Sequence, residues 1–305
     1  MTLDIHAHLF HPKWYPRPFI ESLTQDHLSR SLAAGRPQDV ARADEMILRM
    51  QSDDTGELTV RLMDKAGIDV KVILVLDWGV ELGEAPCSID ETHQDILRIC
   101  TRFRDRLVGF AGIDPRRPQA AQLVEHAFDS LGARGLKLHP TGQWTLTDER
   151  TQHVVELAVR RKFPILVHIG KTLDILNDQN AQPAALIKLA RLFPEGTFIA
   201  GHSGFERFEE FLAEPDLPTN LYFDISAWQP GLRNDRANLL VRLSKLVRAL
   251  PNRVCFGSDS PFFTFNLATS EKRWVDFVAD FLAGLPTELR QSASGVLRGQ
   301  GIISN

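Results

Sequence analysis

The chain has 305 residues, 43% of them hydrophobic and 24% charged, which is enough apolar material for a large core and argues against disorder. No apolar run reaches the length of a membrane span, and a formal charge of −4 with acidic and basic residues interspersed leaves no electrostatic footprint for nucleic acid or a membrane. The expected ligand is a small molecule and the expected location cytoplasmic; Cys87, Cys100 and Cys255 are odd in number and widely spaced, so they imply neither a disulfide framework nor a thiolate metal site.

The chain begins Met1-Thr2-Leu3-Asp4-Ile5-His6-Ala7-His8, and on a strand from Leu3 to His8 the side chains of His6 and His8 fall on the same side. Two neutral imidazoles so placed can chelate one divalent metal. A long insertion follows over residues 10–56, opening Phe10-His11-Pro12-Lys13-Trp14-Tyr15-Pro16 and carrying a helical patch around Asp39 to Met50. Its length and its exit directly after the histidine pair suggest a lid. Seven further apolar runs follow, namely Val70 to Trp78, Leu107 to Asp114, Gly135 to His139, Ile165 to Gly170, Thr197 to His202, Leu221 to Ser226 and Val254 to Asp259. Between them lie stretches with apolar residues three and four apart, including Ser88 to Arg104, Gln119 to Leu131, Asp148 to Arg161, Pro183 to Leu192, Phe205 to Ala213 and Asn234 to Leu250. Eight strand-helix units in 305 residues predict a (β/α)8 TIM barrel of class α/β, a single domain over 1–305 with 10–56 inserted after strand 1.

Chemistry in such a barrel sits where the strands end. The fifth run delivers His168 there, the sixth His202 and the eighth Asp259, so that with His6 and His8 five metal-competent residues converge on one mouth. Lys137 and His139, two apart on the fourth run, should both face inward. Trp78, Trp144, Trp228, Phe262 and Phe263 fall just past strand ends and, with Trp14 and Tyr15 of the insertion, suggest an apolar wall for a substrate, although packing beneath a loop accounts equally well for each. Arg17, Arg233 and Arg236 lie in mouth-side segments, where surface exposure competes with clamping a carboxylate.

The segments Asp4-Ile5-His6-Ala7-His8, Gly135-Leu136-Lys137-Leu138-His139-Pro140, Val167-His168, Gly201-His202-Ser203-Gly204 and Gly257-Ser258-Asp259-Ser260-Pro261 resemble, in order and along the whole chain, the amidohydrolase superfamily, in its amidohydrolase 2 branch with the aminocarboxymuconate-semialdehyde decarboxylase-like enzymes. The C-terminal segment Ser292 to Arg298 matches only loosely. The resemblance implies that His6, His8, His168 and Asp259 hold one divalent ion, most commonly zinc, while His202 contacts the substrate or the attacking water. In binuclear members a carboxylated lysine at the place of Lys137 bridges two metals and the residue at the place of His202 becomes a ligand; the other reading of Lys137 is a cation for a substrate carboxylate. A zinc ion can lower the pKa of water from about 15.7 toward about 7, and Asp259 can then act as general base. The expected function is hydrolysis of a small amide, ester or lactone, with nonoxidative decarboxylation of an unsaturated or aromatic acid as the alternative. A small-molecule partner, carboxylated in the second case, is expected, with room for a homodimer. The intact acid-base pair His202 and Asp259 argues against a non-catalytic binding barrel, and the acidic balance and lack of a fourth-strand glutamate against a TatD-type nuclease.

Overall fold

A computed structural model describes residues 1–302 apart from 34, 265, 266 and 294. Eight parallel strands pair in sequence order: β1 (Leu3–Ala7), β2 (Val70–Leu74), β3 (Leu107–Gly112), β4 (Leu136–Leu138), β5 (Ile165–His168), β6 (Phe198–Gly201), β7 (Leu221–Asp224) and β8 (Val254–Cys255). The eighth returns to the first through Ile5 N–H to Phe256 O at 3.1 Å, Asp259 N–H to His6 O at 2.7 Å and His8 N–H to Ser260 O at 2.7 Å, completing a (β/α)8 barrel. Leu3, Ile5, Val72, Leu74, Phe110, Leu166, Ile199 and Cys255 form a buried cluster filling the barrel, separate from the larger apolar layer between strands and helices. Period-two alternation explains the split: in β4, Leu136 and Leu138 join the outer layer while Lys137 between them turns inward.

The helical periodicity translates into helices at Ile89–Arg102, Ala120–Asp129, Glu149–Arg160, Pro183–Leu192 and Arg236–Ala249, each inside its predicted stretch. Ser88 starts the first of these with a capping box, its hydroxyl accepting from Glu91 N–H while the Glu91 carboxylate accepts from Ser88 N–H at 2.8 Å. The stretch Phe205 to Ala213 is different: only Phe208–Leu212 is α-helical, after a 3-10 turn over His202–Arg207. At the foot of the barrel a 3-10 turn, Val296–Gly301, lies against β8 and β1, with Phe256 N–H donating to Val296 O at 2.9 Å. It follows the helix Thr287–Ala293, so the loosely matching segment Ser292 to Arg298 spans their junction, of which residue 294 lies outside the described residues. Cys100 and Cys255 are buried, Cys87 is half-buried, and all are free.

The strands are shorter than the apolar runs, because burial continues past the last paired residue: Val75 and Leu76 follow β2 and are still buried. The insertion holds two helices, α1 (Arg17–Ala33) and α2 (Val40–Gln51), before α3 (Glu57–Ala66) returns the chain to the barrel wall. Asp39 caps α2 by accepting from Arg42 N–H, matching the predicted patch; α1 is additional. The neck is tied by Asp53, whose N–H donates to Phe10 O at 2.8 Å and whose carboxylate accepts from Gly56 N–H at 2.9 Å and Thr59 N–H at 2.7 Å. No described helix is long and apolar enough to cross a membrane.

Candidate active site

The strand ends build one cavity of about 340 Å³, within the range of small-ligand sites. Its floor holds His6, His8, Lys137, His139, His168, His202 and Asp259; its walls include Phe19 and Leu23 of α1 together with Trp78, Phe205, Phe262 and Phe263. Within the floor, His6, His8 and Asp259 form a group whose ligand atoms lie within 4.8 Å of one another. Asp259 Oδ1 stands 3.2 Å from His8 Nε2 and 3.8 Å from His6 Nε2. Both imidazoles are turned by a bond at the opposite nitrogen: His6 Nδ1–H donates to Asp224 Oδ2 at 2.9 Å and His8 Nδ1–H to Leu74 O at 2.8 Å. Such partners fix the tautomer and leave Nε2 free to bind a metal, so the donor set suits a divalent cation such as zinc.

His168, expected as a fourth ligand, lies beside this group and not within it. Its Nε2 is 3.2 Å from Lys171 O, which can only accept, so that nitrogen carries the proton of the neutral ring. His168 Nδ1 therefore accepts from His202 Nε2 at 3.1 Å, and His202 Nδ1 lies 2.9 Å from Ser226 Oγ, whose hydroxyl donates to Asp224 Oδ1. In this chain of bonds both nitrogens of His168 and of His202 are engaged by protein groups. His202 is also stacked on Phe205, with ring centroids 4.4 Å apart, and the segment His202, Ser203, Gly204, Phe205 has φ of 57°, 49°, 77° and 53°. Asp259 has φ of 51°. Left-handed backbone at non-glycine residues is strained, and its concentration at two strand ends facing one cavity is what a functional site leads one to expect.

The electrostatics follow from burial. His6 and His168 are held well below the ordinary histidine range, first by desolvation and then by neighbouring cations including Lys137, and His202 is lowered to about 3 by burial and His6. All three rings are thus neutral and ligand-competent. Burial would raise the Asp259 carboxyl, but the adjoining imidazoles, His8 first and then His6 and His202, outweigh it and hold the group below the usual carboxylate range. Lys137, whose Nζ is 3.4 Å from His6 Nε2, is lowered to about 8 by burial, against the opposing pull of Asp259 and Asp224. His139 stacks on His168 with centroids 4.1 Å apart and bonds Thr141 through Nδ1 at 2.6 Å.

Other residues chosen from the sequence lie elsewhere. Trp14 is buried with Nε1 donating to Asp95 at 3.1 Å, and Tyr15 stacks on Phe10 with its hydroxyl donating to Leu9 O at 2.9 Å; neither lines the cavity. Trp144 and Trp228 are buried outside it, Trp228 supporting the site from behind through Nε1–H to His202 O at 2.8 Å. Arg17 pairs with Glu21 and Asp44, and Arg236 covers the Phe277 ring; neither of these arginines, nor Arg233, lines the cavity. Sequence reasoning missed Asp224 and Ser226. Asp224 is a carboxylate closing an apolar strand, the same signal that singled out Asp259.

A family model for amidohydrolases matches residues 3–293, and the chain belongs to that family. No curated protein sequence matches it with significance. Among solved structures it is similar to a 5-carboxyvanillate decarboxylase from Novosphingobium aromaticivorans complexed with manganese and 4-hydroxy-3-methoxy-5-nitrobenzoic acid, at 16% identity and TM-score 0.61 over 97% of this chain and 93% of that one. It is also similar to a probable 2-pyrone-4,6-dicarboxylic acid hydrolase from Acinetobacter baumannii, at 13% identity and TM-score 0.61 over 98% and 97%. An amidohydrolase from Burkholderia multivorans with bound zinc matches at 15% identity and TM-score 0.63 over 98% and 97%. At these identities the likeness concerns the fold.

Proposed function

We propose that the protein is a metal-dependent hydrolase of a small amide, ester or lactone. The observation that carries this reading is the carboxylate of Asp259, held ionised 3.2 Å from His8 Nε2 at the floor of a cavity with aromatic walls. From its place beside the proposed metal donors this carboxylate is within reach of a water held there and can take its proton once the ion lowers that water's pKa; decarboxylation needs a group that delivers a proton to the carbon losing carbon dioxide. His6, His8 and Asp259 would hold the ion, proposed as zinc, with His168 as fourth donor through Nδ1 once His202 releases that nitrogen. A bound divalent ion supplies a water of lowered pKa and a Lewis acid. Asp259 accepts the proton of the attacking water and returns it to the leaving group. His202 would stabilise the oxygen on which charge develops, and to do so its Nε2–H must leave His168. Phe19, Trp78 and Phe262 would seat the apolar part of the substrate and exclude water.

Lys137 favours the second reading, decarboxylation of an unsaturated or aromatic acid. It is a buried cation beside the same donors, placed to hold a carboxylate, and the Novosphingobium neighbour is named for such a reaction. Zinc-loaded protein incubated in isotopically labelled water with lactones, esters, amides and aromatic acids separates the two. Label in a carboxyl product without carbon dioxide release is expected; carbon dioxide release without label would replace hydrolysis by decarboxylation.

A further inference from the structure

Outside the barrel lumen, between β1, β2 and the helix Ala268–Ala283, lies a cluster of buried charges that the chemistry above does not use: Asp4, Lys71 and Glu271. Lys71 Nζ donates to Glu271 Oε1 at 2.6 Å and to Ser260 Oγ at 2.8 Å, with Asp4 Oδ2 3.7 Å away. Asp4 Oδ1 accepts from Ser258 N–H at 2.9 Å and from His6 N–H at 3.2 Å, while Oδ2 accepts from Ser258 Oγ–H at 2.6 Å. The two residues flanking Asp259 are therefore both gripped by this cluster, and the same Asp4 carboxylate also holds the backbone of His6.

Such a grip answers a specific weakness. β8 is two residues long, and its ladder to β7 ends at Cys255, four residues before Asp259. Asp259 itself sits in strained left-handed backbone at φ 51°. The spacing of Asp259 from His6 and His8 thus depends on the register of the segment 256–260 against β1. Stability does not account for the cluster, since dehydrating an ion pair costs about what its attraction returns, and apolar replacement of a buried pair is often neutral or stabilising.

We infer that Asp4, Lys71 and Glu271 are positioning residues that set Asp259 against His6 and His8 from outside the barrel. They act through Ser258 and Ser260 and touch no substrate. This deepens the metal-centre reading, on which only part of its test rests.

The test uses the full chain and two variants. Lys71→Met/Glu271→Leu removes the pair and leaves Asp4 with only its hydrogen bonds to Ser258 and His6, and Ser260→Ala leaves the pair intact but cuts its hold on the segment. In both, amide hydrogen exchange in peptides covering 256–262 should rise at least about tenfold while peptides covering 136–168 keep the wild-type rate. Affinity for Co2+ alone, read from its visible absorption, should fall about tenfold or more, the size of effect that loss of a ligand's support produces. Wild-type exchange at 256–262 in these variants would overturn the inference, as would faster exchange with wild-type Co2+ affinity. If the double variant does not fold, Ser260→Ala carries both measurements. If the wild-type protein binds no Co2+, the metal reading fails on its own, and the exchange result alone decides this inference.

Discussion

Asp224 joins more parts of the site than any of the residues it supports. Its Oδ2 accepts from His6 Nδ1–H, and its Oδ1 accepts from His202 N–H at 3.1 Å and Ser226 N–H at 2.8 Å, so one carboxylate orients a proposed ligand and fixes the strained turn that carries His202. An amide in its place has only one accepting oxygen and cannot satisfy both sides. Asp224→Asn should therefore lower metal affinity by about 10- to 100-fold with the fold intact, measured by calorimetric titration of Zn2+ into metal-free protein; unchanged affinity would remove Asp224 from the support of His6. Asp259→Asn tests a different role. Its amide oxygen can still coordinate weakly but takes no proton, so turnover should vanish while part of the metal stays, whereas His6→Ala should lose both. Near wild-type turnover of Asp259→Asn on a confirmed substrate would show that Asp259 is not the base.

The element that shapes the cavity is α1, and it does so by helical spacing: Phe19, Leu23, Asp26 and Arg30 lie on one face, all lining the cavity, Phe19 against Phe262 and Trp78 and the charged pair joined to each other as an ion pair. Phe19→Ala/Leu23→Ala should change kcat/KM for the true substrate by at least about tenfold, roughly 1.4 kcal/mol of transition-state binding, with metal content constant. Trp14→Ala should instead lower the melting temperature and leave kinetics alone, because its ring packs in the neck with Asp95. Unchanged kinetics in the Phe19 and Leu23 variant would take α1 out of substrate choice. The sequence made the insertion and its exit at the mouth legible, but not this helix. Arg17–Ala33 buries Phe19, Ile20, Leu23, Thr24 and Ser31, too mixed a set to stand out as an apolar stripe, whereas α2 announced itself by its Asp39 cap and regular spacing. The barrel was legible because eight apolar runs separated by amphipathic stretches have few other solutions, and His6, His8, His202 and Asp259 because polar residues at strand ends share one mouth. Ring orientation was not legible. That His168 turns toward Lys171 O, and that His8 is held by Leu74 O, depends on backbone carbonyls whose positions no residue pattern encodes.

For the molecule as a whole, the buried histidines make stability depend on pH. His93 in the helix Ile89–Arg102 shows this apart from any metal: it is buried, its Nε2 accepts from Gly112 N–H at 3.1 Å, and burial lowers it to about 4 against the partial counterpull of Asp77. Because the folded pKa lies below the unfolded value of 6.5, the native state binds fewer protons than the unfolded chain between the two. The contribution is thus fully present above pH about 6.5 and is lost as pH falls toward about 4. His6, His168 and His202 act in the same direction. Asp4 opposes them: burial raises it to about 6, so its contribution is present at low pH and lost as pH rises through that value, and burial raises Asp224 in the same direction. Four histidines against two such carboxyls leave a net loss on acidification. His93→Gln keeps an acceptor for Gly112 N–H but does not titrate. Between pH about 7 and about 5 the wild-type protein should lose about 2 kcal/mol more stability than this variant, the linkage expected from one histidine so shifted. Urea unfolding of both proteins at the two pH values checks it through the change in midpoint, which cancels any constant cost of the substitution. Equal losses in the two proteins would mean that His93 is not held neutral, and that the acid sensitivity of the fold resides in other groups.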